Sequence, residues 1–222
     1  MWESPYPLTT ILIVSNFNML WTALYVLAIR RGFLDKTYGL PIASVFLNIG
    51  WDLVNFAFVP GLAAPQRFLS LFFFLIQLVI VYQVFRFWRR EASDIPSWQF
   101  YSGIALTAAF SFALMLGTTL EFQEAPPWRS GYVNTFVSSA LFIGMFYQRY
   151  DDLRGQSVYI GLAKLLGSGP LALALYLSPW PGFEGSILLP ILYLGIFLLD
   201  LYYVILMVVR SRELGINPWK RF

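Results

Sequence analysis

The sequence predicts an all-α integral-membrane bundle of seven transmembrane helices, with the N-terminus outside and the C-terminus in the cytoplasm. Three observations carry that prediction: an apolar composition, seven apolar stretches of spanning length, and a one-sided distribution of basic residues. Of the 222 residues, 58% are hydrophobic and only 12% are charged. A soluble domain has about 25% charged residues, and one soluble core of this length cannot hide so much apolar side chain. Crossing the hydrocarbon takes about 20 mostly apolar residues as a helix.

The first stretch is Leu8–Ile29. No basic region precedes it, so no cleaved leader is expected. The second is Leu40–Val59, closed by Pro60-Gly61, and the third is Leu69–Trp88 after Pro65. Phe100–Leu120 and Tyr132–Tyr150 follow on either side of Pro126-Pro127. The sixth, Val158–Leu177, contains Gly167-Ser168-Gly169-Pro170 and should bend there, its freed carbonyl bonded by a neighbouring helix. The seventh is Ile187–Val209, after Pro179-Trp180-Pro181-Gly182. The first, third and fifth links and the tail carry 12 Lys and Arg (Arg30, Arg31, Lys36, Arg86, Arg89, Arg90, Arg149, Arg154, Arg210, Arg212, Lys220, Arg221), against Arg67 and Arg129 opposite. That bias fixes the orientation. Lys164, in the sixth span, is expected to snorkel to the basic side. Trp2, Trp98, Trp128, Trp180 and Trp219 fall near span ends as an interfacial belt. Residues 1–222 form one domain with no internal repeat.

Composition also removes chemistry. There is no Cys and no His, so disulfides, thiol nucleophiles, Ser-His-Asp sites and the usual metal ligands are excluded. No metal and no cofactor is expected. A net charge of +3 without a basic patch excludes a nucleic-acid partner. Asp151-Asp152 lacks the third acid of a diphosphate site and reads as a cytoplasmic cap pair, and Glu121, Glu124 and Glu184 sit on outer links. Pro65-Gln66 stands in a link, not a span, and the last span has no Lys for retinal.

Ionisable residues inside a membrane are costly and mark function. Two acids lie well inside spans, Asp52 and Asp200. Asp52 is roughly 18 Å from Leu40 and Asp200 roughly 14 Å from Val209 at 1.5 Å per residue, so both fall in one layer near the midplane. If their helices face one cavity, both reach one substrate. Asn48, Asn55 and Phe56 flank Asp52 on its helix face, beside Trp51, and Tyr193, Phe197 and Tyr203 share the face of Asp200. Asn18, Trp21, Thr22 and Tyr25 align in the first span, and Asn134, Ser138, Phe142, Met145 and Arg149 in the fifth. Such stripes turn inward because lipid cannot satisfy them. Amide and hydroxyl stripes commonly do no more than join helices. The two acids differ, since a packing acid would be replaced by Leu at lower insertion cost.

At these residues the sequence resembles the small seven-span terpene cyclases of fungal meroterpenoid and indole-diterpene pathways and their bacterial relatives. The likeness rests on Asn48-Ile49-Gly50-Trp51-Asp52, Ser138-Ser139 through Arg149, Gly155-Gln156-Ser157, Lys164, Gly167, and Asp200 with Tyr203, in that order along most of the chain. The resemblance implies that the essential intramembrane acids are Asp52 and Asp200. Fungal members usually have Glu where Asp52 stands. That departure and the short chain imply a bacterial member, in a bacterial cell membrane, that cyclises a farnesylated indole.

The chemistry implied is protonation of the terminal alkene or epoxide of a prenylated aromatic substrate, followed by ring closure through carbocations. Burial favours the protonated carboxyl at neutral pH and excludes the water that would trap a cation. Aromatic faces stabilise the positive charge. An alkene is a poor base, so the forming carboxylate needs support, which the amides of Asn48 or Asn55 can supply to Asp52. Asp200, with Tyr203, then orients the donor, shares its proton or reloads it, and the reverse assignment of the two acids is the alternative. A proton-coupled transporter is the alternative, though no repeat or pair of broken helices supports it. A ligand-sensing receptor is third, since the cytoplasmic links are short.

Overall fold

The computed structural model describes residues 8–123, 127–177 and 183–222. Trp2, Glu124 and Trp180 lie outside the described residues. The elements are α1 (Leu8–Asp35), α2 (Ile42–Ala57), α3 (Ala64–Glu91), α4 (Ser97–Phe122), α5 (Trp128–Gln148), α6 (Val158–Leu177) and α7 (Leu188–Glu213), with a 3-10 turn at Pro218–Lys220. No strand occurs among the described residues.

Proline sets most of the starts. Pro41, Pro96 and Pro127 cap α2, α4 and α5, and Pro65 stands in the first turn of α3, where a missing N–H costs nothing. Pro65-Gln66 therefore opens a helix and does not lie in a link. Gln123, left-handed at φ 50°, ends α4. Five helices, α1, α3, α4, α6 and α7, are long and apolar enough to cross a membrane. The other two differ for separate reasons. Pro41 and the Pro60-Gly61 turn confine α2 to 16 residues, about 24 Å of rise against a hydrocarbon core of about 30 Å. α5 has 21 residues but carries Arg129, Ser130, Asn134, Thr135, Ser138 and Ser139.

Six helices close a ring: α1 packs on α3 and α6, α6 on α7, α7 on α5, α5 on α2, and α2 on α3. α4 lies outside the ring against α2 and, more lightly, α5. α2 and α7 are not neighbours in the ring. Large side chains such as Met19, Phe68, Phe110, Leu173 and Ile191 are exposed around the bundle, the surface that lipid covers and water does not favour. Pro170 leaves the carbonyl of Leu166 without its helical donor, and Asn16 Nδ2 of α1 donates to it at 3.3 Å. This is the repair expected at that glycine- and proline-rich stretch.

A polar knot fastens the end of the bundle that the sequence places in the cytoplasm. Glu91 accepts from Thr37 Oγ1 at 2.6 Å and pairs with Arg149 at 3.4 Å. Arg149, 4% exposed, donates to the carbonyls of Tyr38 and Arg154 at 2.8 and 3.1 Å. Asp35 pairs with Arg31 and Arg221 and accepts the Gly155 N–H at 2.8 Å. Gly155 has φ +72°, and a Cβ there would stand 2.5 Å from the Tyr38 carbonyl oxygen. Gly155→Ala is expected to cost at least about 1–2 kcal/mol from the left-handed backbone alone, read as a lowered Tm of the purified protein.

Two expectations are corrected. Lys164 does not snorkel: it is 1% exposed and held by a carboxylate inside the bundle. Trp128 does not belong to a belt: it is buried, whereas Trp98 and Trp219 are exposed.

Candidate active site

A cavity of about 670 Å³, counting the space at its mouth, lies between α1, α2, α3, α5 and α6. It runs from the first turns of α3 and α5, at Gln66 and Trp128, to Asp52 and Tyr25 deeper in the bundle. Phe17, Asn18, Trp21 and Tyr25 reach it from one face of α1, as their helical spacing requires. Their rings form a continuous wall. Trp128 meets Phe17 at 6.4 Å, Phe17 meets Trp21 at 5.8 Å, Trp21 meets Tyr25 at 5.9 Å, and Tyr25 meets Phe73 at 5.7 Å.

The opposite wall is built by α2 and α5. Gly131 leaves room for the Trp51 indole, which would lie 3.3 Å from a Cβ there, and Trp51 Nε1 donates to the Pro127 carbonyl at 3.3 Å. Asn134 Nδ2 donates to Asn48 Oδ1 at 2.8 Å, tying α5 to α2 beside the cavity. Tyr132, Thr135 and, from α6, Ser168 complete the lining. Trp21 Nε1, Tyr132 OH, Asn134 Oδ1 and Ser168 Oγ are buried without a hydrogen-bond partner. The wall is thus aromatic with a few unused polar atoms.

Asp52 is the carboxyl on this cavity among the described residues. It is 3% exposed and accepts a hydrogen bond from Gln77 Nε2 of α3 at 2.6 Å. Among the described residues no Lys or Arg pairs with it. Neither expected amide serves it: Asn48 is bonded to Asn134, and Asn55 Nδ2 donates to the Trp51 carbonyl at 2.8 Å. The donor is Gln77, which the sequence reading passed over. The signal was available, because Gln77 is the lone polar side chain between Leu71 and Val81.

Asp200 is equally buried but is not on the cavity. Both its carboxylate oxygens face Lys164 Nζ, at 2.7 and 2.9 Å, and the same ammonium donates to Ser139 Oγ at 2.5 Å and lies 5.8 Å from the Phe142 ring centroid. The two acids therefore do not meet across one pocket. Lys164 projects from α6 toward α7, and a carboxylate out of water is far cheaper beside an ammonium than alone.

The structure brings Asn18, Trp21, Tyr25, Asn48, Trp51, Asp52 and Asn134 to the cavity. It leaves the other expected residues away from it. Ser138 accepts from Ser44 at 2.7 Å. Tyr193 packs on Tyr132 at 4.6 Å. Tyr203 donates to Gln156 Oε1 at 3.3 Å and packs on Phe142 at 5.2 Å. Phe56 is half-buried outside the lining, and Phe197 points outward. Phe17, Phe73, Gly131, Tyr132 and Thr135 join the lining without having been singled out, and so does Gln66, read earlier only as part of a link.

Comparison with known proteins finds terpene cyclases. The chain is similar to the Pyr4-family terpene cyclase mfmH of Annulohypoxylon moriforme, 34% identical over 158 residues, which is 68% of this chain and 63% of that protein. The chain thus spans less than two thirds of mfmH. It is 25% identical to the terpene cyclase pyr4 of Aspergillus fumigatus over 83% of this chain and 79% of pyr4. It is 26% identical to the terpene cyclase andB of Emericella variicolor over 88% of this chain and 86% of andB. These relatives are fungal, so the bacterial assignment drawn from Asp52 has no support from them. No solved structure matches the chain. The family model described as Pyr4-like transmembrane terpene cyclases matches residues 5–212, and with that the chain belongs to this family of membrane enzymes.

Proposed function

We propose that the chain is a protonation-initiated terpene cyclase in which Asp52 donates the first proton to the prenyl end of a lipophilic aromatic substrate. One observation carries this reading: a single carboxyl, free of any cationic partner among the described residues, sits on an aromatic cavity inside a membrane bundle. A carboxyl that must give up a proton is best left without a cation that would hold it as carboxylate. The prenyl chain folds against the Trp128–Phe17–Trp21–Tyr25–Phe73 wall. The proton adds to the terminal alkene or epoxide, rings close through cations, and the final cation returns a proton to the Asp52 carboxylate. This initiation requires no metal.

α2 and α5 complete seven spans in this reading, with the N-terminus outside and the C-terminus in the cytoplasm. The 12 basic residues on one side against two on the other support it. The polar stripe of α5 is tolerated because Asn134 and Ser138 bond to Asn48 and Ser44 of α2 and Ser139 accepts from Lys164 of α6. The unused polar atoms of Trp21, Tyr132, Asn134 and Ser168 suit a substrate with a polar head, such as a farnesylated indole or phenol. Asp200 is paired with Lys164 and acts on the fold, not on substrate.

The test is to incubate membranes containing the protein with a farnesylated indole or phenol and look for a cyclised isomer of unchanged mass. Uptake by proteoliposomes with no isomer would instead favour transport. Trp21→Leu is expected to lower kcat roughly 10–30-fold, the loss of one desolvated cation–π contact of about 2 kcal/mol. The rate of isomer formation checks it.

A further inference from the structure

Gln77 makes two hydrogen bonds through one nitrogen. Nε2 donates to the Phe73 carbonyl, one turn earlier on α3, at 3.0 Å and to Asp52 Oδ2 at 2.6 Å. A backbone carbonyl only accepts. The Phe73 oxygen therefore fixes which way the amide is turned, and the atom offered to Asp52 is an N–H. Turning the amide over would set Oε1 against the Phe73 carbonyl oxygen. As it stands, Oε1 is buried without a partner. One unsatisfied acceptor is the cost of presenting the N–H to the acid.

The consequence falls on Asp52. Oδ2 is occupied as an acceptor, so a neutral Asp52 carries its hydrogen on Oδ1. Oδ1 has no partner among the described residues and is left open to the cavity. We propose that Gln77 is a positioning residue that assigns the transferable proton to Oδ1 of Asp52 and supports the carboxylate left behind. The inference rests on Asp52 as donor and adds the residue that makes it a usable one.

In the step itself the Oδ1–H bond breaks and its electron pair stays on the carboxylate. The π pair of the terminal alkene forms the new C–H bond, or an epoxide oxygen lone pair forms an O–H bond. The charge spreads to Oδ2, where the Gln77 N–H already points, so no donor has to move as the charge develops. The proton lost by the last cation restores the acid, and no co-reactant is consumed.

Two readouts test this on purified full-length protein in lipid. The first is infrared difference spectroscopy of wild type against Asp52→Asn, which isolates the C=O stretch of a protonated Asp52. A carbonyl oxygen that accepts a hydrogen bond absorbs at lower frequency, so Gln77→Met should move that band up. The second is kinetics with a farnesylated indole. Gln77→Met should lower kcat about 10²–10³-fold, as for one oxyanion donor, with KM within about threefold. Gln77→Asn keeps the amide but withdraws it by one methylene, and it repeats both measurements if the Met variant does not accumulate. A band moved up together with the kcat loss supports the proposal. An unmoved band, an unchanged kcat, a change confined to KM, or no protonated Asp52 band in wild type would overturn it. Full cyclisation by Asp52→Asn would instead remove the donor assignment, and the shift of the Asp52 band in the Gln77 variants does not depend on that result.

Discussion

Asp52→Asn is expected to lower isomer formation roughly 10²–10⁴-fold or more, the range a positioned general acid supplies. The substitution keeps the shape of the side chain and its place on α2. What it removes is the carboxyl proton on the cavity wall. An amide N–H is too weak an acid to protonate an alkene. Substrate should still enter, since the Trp21, Tyr25, Phe73 and Trp128 rings are untouched, so binding of a farnesylated ligand should stay within a few-fold of wild type. Product formation by liquid chromatography and mass spectrometry, with binding by ligand-induced quenching of tryptophan fluorescence, separates the two. A variant that folds and binds but does not cyclise is the expected outcome.

Asp200→Asn should also abolish activity, by another route. It leaves the Lys164 ammonium, 1% exposed, with Ser139 in place of its carboxylate. Breaking one side of such a buried pair costs about 3–5 kcal/mol, whereas replacing both sides by apolar residues is often neutral or stabilising. The Asp200→Asn protein should therefore lose Tm and yield, and adding Lys164→Met to an Asp200→Leu change should restore both. Because neither residue lines the cavity, the double variant should recover a substantial part of the cyclase rate. Melting curves and turnover on Asp200→Leu, Lys164→Met and the double variant give a complete cycle. If the double variant is well folded yet as inactive as Asp52→Asn, Asp200 takes part in the chemistry and its assignment to the fold is wrong.

The helices were legible because apolar runs and prolines are local signals. Pro127 stands at a helix start, as punctuation predicts, and Pro41 and Pro96 do the same although neither had been marked as a boundary. The aromatic face of α1 was legible too, since Trp21 and Tyr25 are one turn apart. What the sequence could not reveal were the partners across helices. Helical spacing says that Asp200 has a buried face. It does not say that α6 supplies Lys164 to that face, or that α7 stays clear of α2. Asn48 and Asn55 are the near neighbours of Asp52 along α2, and their amides go to Asn134 and to the helix backbone. Its actual donor comes from α3, 25 residues on. A tryptophan at a span end reads the same whether it lies at the lipid headgroups or against a cavity, which is why Trp128 was misplaced.

Cyclisation in heavy water tests the central claim most directly, with a farnesylated indole whose terminal alkene is intact. A donor acid exchanges its hydrogen with solvent between turnovers, so the product should carry one deuterium bound to carbon, on the ring methylene beside the new quaternary centre. Its mass should rise by one unit after back-exchange into ordinary water, and Asp52→Asn should form none. A cyclised product that takes up no deuterium, or that Asp52→Asn forms at the wild-type rate, would contradict the account.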